Sequence, residues 1–186
     1  MRHDKIRDSM AEILSYAGVK GVETERLLQP CDDFADRLPH WTNQDRDARM
    51  DIVGSGLWQD EQLNFFDVRV IHANSASYLS TSPAALYKDH ETRKKKSYMR
   101  RVHLVEGGSF TPLIMSTTGG LGDEFLKVIK KAASRIEDKH QERYPEIMAT
   151  IKQKLRFSIL RSTLRSLRGC RVPLKTPTLD TFDFNL

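Results

Sequence analysis

Two short apolar segments, each interrupted by a single aspartate, constrain this chain most. They are residues 48–58 (ARMDIVGSGLW) and 62–72 (QLNFFDVRVIH), separated only by Gln59, Asp60 and Glu61. The second alternates: Phe66, Val68 and Val70 fall on one side of an extended chain, Asp67 and Arg69 on the other. A polar break between two β-like runs predicts an antiparallel hairpin. Aspartate is disfavoured inside a strand, and burying one without a partner costs free energy. Asp51 and Asp67 therefore need a reason to be there.

The flanking sequence predicts what surrounds the hairpin. Ile6, Met10, Ile13, Leu14 and Ala17 recur at helical spacing over residues 4–17, and Gly18 follows as a stop. Residues 22–28 suit a short strand, and the acidic, proline-containing stretch 29–47 suits a surface loop. A long basic helix is expected over 84–106, a strand over 109–116, and helices over 121–137 and 142–168. On the last helix, Ile151, Leu155, Leu160, Leu164 and Leu167 read as an apolar stripe, with Arg161, Arg165 and Arg168 as a separate basic one. The order of elements implies an α/β domain, a small mixed sheet flanked by helices. It spans residues 1–171, followed by a loose tail over 172–186 that holds Pro173 and Pro177.

At 39% hydrophobic and 30% charged residues, the chain of 186 can fill a core and is not disordered by composition. No stretch approaches the roughly 20 apolar residues of a membrane span, and the first residues lack the apolar run of a signal peptide. Cys31 and Cys170 form neither a zinc spacing nor a disulfide framework, which fits a nuclear or other intracellular setting and no secretion. The formal net charge is +5, and its distribution matters more than its size. Arg93, Lys94, Lys95, Lys96, Arg100 and Arg101 fall in one acid-free run, and Lys152 to Arg171 is another. Such runs are the electrostatic footprint of a nucleic-acid partner, or else solvated helix faces.

Two aspartates on paired strands can share one hard cation, because Mg²⁺ takes a few carboxylate oxygens and keeps its waters. Phosphodiester hydrolysis uses that arrangement. The alternative is an ordinary surface ion pair of Asp67 with Arg69 or Arg49. On the helix that follows, Lys94 and Tyr98 are four apart and share a face. Glu91 and Arg101 lie on nearby positions of the same surface. An ammonium near a metal-bound phosphate stabilises its charge.

In order, RHD at residues 2–4, RMDI, FFDVRV and the Lys94-x-x-x-Tyr98 helix resemble the endonuclease domain of site-specific non-LTR retrotransposons. That family is a restriction-enzyme-like branch of the PD-(D/E)XK nucleases. The segment SFTPLIMSTTGG and the closing LRFSILRSTLRSLRG are similar too, so the likeness covers residues 2–171. It implies a Mg²⁺-dependent enzyme, with Mn²⁺ as a substitute, that nicks double-stranded DNA and works with a reverse transcriptase encoded elsewhere. It implies Asp51 and Asp67 as metal ligands and catalytic acids. Lys94 is the displaced catalytic lysine, and Tyr98 orients it or touches the backbone. Arg2, His3, Arg69, Arg93, Lys95, Arg100, Arg161, Arg165 and Arg168 are the expected DNA contacts.

The chain departs from the family at Met50, where proline is usual, and at Arg69, where the wider class often has lysine. Arginine stays protonated and cannot act as a base. Among the lysines of the helix, Lys94 is expected to aim at the aspartates, with Lys95 and Lys96 more toward solvent. An inactive DNA-binding remnant is the rival reading, and an adaptor for acidic protein is a third. Glu25 is a further candidate ligand, Glu12 a helix acid. His72, His90 and His103 lack zinc spacing. The Gly119-Gly120-Leu121-Gly122 stretch lacks the order of a phosphate loop.

Overall fold

The computed structural model describes residues 2–78 and 80–168, with 166–168 as backbone alone. The expected tail, together with Cys170 and Arg171, lies outside the described residues. Helix α1 spans Arg2–Tyr16, followed by strands β1 (Lys20–Leu27), β2 (Arg49–Ser55) and β3 (Leu63–Ile71). Helix α2 (Pro83–Arg101) leads to strand β4 (Ser109–Ser116), and α3 (Asp123–His140) and α4 (Tyr144–Arg168) complete the order. The chain is thus a mixed α/β fold with a four-stranded mixed sheet flanked by helices. No helix among the described residues is long and apolar enough to cross a membrane.

The strands lie side by side in the order β1-β2-β3-β4. The β1–β2 and β2–β3 pairs are antiparallel, and β4 runs parallel to β3. A parallel neighbour needs a crossover, and α2 supplies it. The alternation of β3 decides the layers. Phe66 and Val68 join a core with Ile6, Met10, Leu14, Phe125 and Leu155, so α1, α3 and α4 cover that face. Phe65 points the other way, into a cluster with Met50, Val53, Val102 and Phe110, against which Tyr98 of α2 packs.

Two expectations require correction. The long helix over 84–106 is two pieces. It begins where Ser82 caps it, accepting from the Ala85 N–H at 3.3 Å, with Pro83 at the first turn. The α-helix ends at Arg101, and Val102–Glu106 winds as a wider π turn before Gly107, at φ 65°. Arg101 is no part of a basic surface: its side chain is fully buried. Its guanidinium donates to the carbonyls of Asn43 (2.8 Å), Asp45 (2.9 Å) and Gln29 (3.0 Å), pinning the 29–47 loop to the helix.

The apolar stripe of α4 is the second. Ile147, Ile151, Leu155 and Ile159 face the core, whereas Leu160 is 51% and Leu164 43% exposed. The core side advances by four residues at each step, as helical geometry requires. A jump of five from Leu155 to Leu160 leaves that face.

Candidate functional site

The β2–β3 ladder runs from Ser55↔Leu63 to Ile52↔Phe66 and stops. One residue beyond, on each strand, stand Asp51 and Asp67. There the Asp51 side chain does what the ladder would have done: its Oδ2 accepts from the Val68 N–H at 2.6 Å. The same oxygen takes a second bond, 2.9 Å, from His3 Nε2 at the start of α1. Asp67 is nearly buried and is met by Lys94 from α2. Its Oδ1 accepts from Nζ at 3.0 Å, and its Oδ2 lies 2.8 Å from the same nitrogen without hydrogen-bond alignment. Two strands and two helices therefore bring Asp51, Asp67, His3 and Lys94 to the parted end of one hairpin.

The electrostatics follow from this crowding. Burial raises the Asp67 carboxyl above the usual carboxylate range; Lys94 opposes that shift and the Asp51 charge adds to it. His3 is pushed up to about 9, chiefly by its hydrogen bond to Asp51, so it is an imidazolium at neutral pH. Each carboxylate thus has its own cation. Lys94 also sits over Tyr98, with Nζ 5.6 Å from the ring centroid. Tyr98 packs against Phe110 and its hydroxyl accepts from Asn43 Nδ2 at 3.0 Å.

Two carboxylates stand at this end of the hairpin, each with one oxygen outside the hydrogen bonds just described. Both hydrogen bonds to Asp51 fall on Oδ2, which leaves Oδ1, and the buried Asp67 Oδ2 lacks a directed hydrogen bond. Mg²⁺ requires one or two carboxylates and completes its shell with water and phosphate. Among the described residues no group of three or more His, Cys, Asp or Glu is placed to hold a metal ion. Glu25 is held by Arg7, and Glu12 by Lys154 at 2.6 Å.

The remaining expected residues divide. Arg69 is exposed on β3 and does not pair with Asp67, which Lys94 occupies. Arg93 is tied to Asp89 at 2.9 Å. Lys95 does not lie free in solvent: it pairs with Glu124 of α3 at 3.0 Å. Lys96 is exposed, 4.7 Å over the Trp41 ring. Arg100, Arg161 and Arg165 are exposed, Arg2 is half-buried, and the side chain of Arg168 lies outside what is described. Glu91, grouped with Arg101 on one surface, is buried and accepts from the Glu124 N–H at the start of α3, 2.9 Å.

Sequence reasoning placed His3 at DNA and missed its grip on Asp51. The RHD motif was the only signal, and it names no partner. No protein-family model matches the chain, and no curated protein matches it.

Proposed function

We propose that this chain is a Mg²⁺-dependent endonuclease domain of the PD-(D/E)XK kind, similar to that of non-LTR retrotransposons, which nicks double-stranded DNA. One observation carries the reading. Asp51, Asp67 and Lys94, which lie apart in the sequence, converge where β2 and β3 part. A buried acid on a strand facing a lysine from the crossover helix is a costly arrangement for a fold to keep without use. The mixed sheet flanked by helices accords with that class.

Asp51 and Asp67 would hold the cation, which supplies stabilisation of charge on the scissile phosphate and a more acidic attacking water. His3 keeps Asp51 ionised and oriented. Lys94, steadied by the Tyr98 ring, would offer its ammonium to the phosphate. Arg69 and Arg100 are exposed cations available to the DNA backbone.

A second reading has an observation in its favour: both carboxylates already own a protein cation, His3 for Asp51 and Lys94 for Asp67. A chain that never released them would bind DNA without cutting it. Plasmid nicking with Mg²⁺ or Mn²⁺ separates the two. The nuclease reading expects nicking that falls at least about 100-fold in Asp67→Asn, the scale on which lost charge stabilisation reads out. Binding without nicking under either metal gives the second reading.

A further inference from the structure

On the other flank of α1 lies a groove that the acid pair does not use. It has a volume of about 440 Å³ and is lined by Lys5 of α1 and by Ser158, Arg161, Ser162 and Arg165 of α4. Lys5 follows His3 by two residues. That turns it about 200° around the helix axis, so α1 stands between the groove and Asp51. The floor is fixed by a hydrogen bond of 2.9 Å between the hydroxyls of Ser9 and Ser158. Ser158 and Ser162 are one turn apart on α4, and the Ser162 hydroxyl donates to the Ser158 carbonyl at 2.7 Å.

Among the described residues the charge of this groove is uncompensated. Lys5, Arg161 and Arg165 have no ion-pair partner among the described residues. The nearby acids of α1 are engaged elsewhere, Glu12 with Lys154 at 2.6 Å and Asp8 with Arg7 at 2.8 Å. Cations gathered around a concave site repel one another and are stabilised by an anion. Guanidinium forks match the oxygens of a phosphate in pairs.

We propose that the α1–α4 groove seats a backbone phosphodiester of duplex DNA, away from the phosphate that is cut. The proposal rests on the DNA-binding part of the function proposed above and not on cleavage. The groove sets affinity and placement of the duplex; the acid pair does the chemistry.

The test is equilibrium binding of a short synthetic duplex to the full chain, followed by fluorescence anisotropy without divalent cation, between ~50 and ~200 mM salt. Each neutralised phosphate contributes about 0.9 to the slope of log affinity against log salt. The triple variant K5Q/R161Q/R165Q is expected to flatten that slope by about 2 to 3 and to weaken binding about tenfold or more. The variant R161K/R165K keeps the charge and should keep the slope. K130Q/K131Q removes two exposed charges from α3 and should leave the slope within about 1 of the parent.

An unchanged slope in the triple variant overturns the proposal, as does an equal flattening per charge in the α3 variant. Inorganic phosphate, titrated while the Ser158 and Ser162 amide signals are followed by NMR, distinguishes a free anion from a DNA strand. Displacement by duplex supports the proposal, and phosphate that duplex cannot displace overturns it. Wild-type protein with a groove-dependent slope but no nicking would sink the nuclease reading alone. Nicking with a groove-independent slope would sink this inference alone.

Discussion

The basic run on α2 and the basic run on α4 are alike in sequence and opposite in fate. Between Arg93 and Arg101 there are six cations and no acid. Four of them are consumed inside the protein: Arg93 by Asp89, Lys94 by Asp67, Lys95 by Glu124, and Arg101 by three backbone carbonyls. The helix crosses a sheet face that presents an acid and abuts the acidic start of α3. On α4, Lys154 meets Glu12, but Arg161 and Arg165 meet none among the described residues. An acid-free stretch of sequence is not an acid-free neighbourhood. What a helix packs against decides whether its cations hold the fold together or face a partner.

Three measurements press on that contrast. The largest expected effect is on chemistry. Lys94→Ala should reduce Mg²⁺-dependent nicking by about 100-fold or more, with duplex affinity changed by less than about twofold. Lys96→Ala, which removes an exposed cation lying over Trp41, should do the reverse. Equal losses of affinity in both would erase the division between an inward and an outward lysine.

Next comes stability. Arg101→Met removes a buried guanidinium and the three backbone hydrogen bonds it donates to the 29–47 loop, which should cost about 3 kcal/mol and lower Tm by about 6–12 °C. Arg161→Met, on the free run, should stay within about 0.5 kcal/mol of the parent. Comparable melting curves would mean that Arg101 is not the pin described.

The smallest effect is a pH dependence. The His3 imidazolium is raised from 6.5 to about 9 by Asp51. A group raised on folding stabilises fully below its unfolded value and loses that contribution as the pH climbs through its folded one. In metal-free protein, the Tm advantage of wild type over His3→Gln should be largest below about pH 6.5 and vanish above about pH 9. An advantage that instead grows with pH would show that His3 is neutral in its contact with Asp51.

Much of the scaffold could be read from the chain. The alternation in β3 placed Asp67 on the face away from Phe66 and Val68, and the run SFTPLIMS marked β4 from end to end. Lys94 was accessible for a local reason: it shares a helix face with Tyr98, whose ring had to go inward. The His3–Asp51 contact was hidden because it joins residues 48 apart through a bond that no periodicity encodes. Arg101 was hidden by its company, since one buried arginine in a basic run looks like its neighbours. The α4 stripe was misread past Leu155 because the core line passes to Ile159 while Leu160 and Leu164 turn outward. Lys5 drew no notice, as a lone lysine on α1 acquires meaning only when α4 is laid beside it.

Strand β1 carries one more consequence. It lies at the margin of the sheet and is largely exposed, so its outer amides and carbonyls form a template onto which a strand from another molecule can add. The chain blunts that template in three ways. The register slips between Lys20 and Glu23, which twists the strand. Glu25 adopts a left-handed φ of 56°, which breaks the extended run. Lys20, Glu23, Glu25 and Arg26 place charge along nearly its whole length. A protein whose outer strand is kinked, interrupted and charged resists edge-to-edge self-association, and it does so on the margin of the sheet opposite β4.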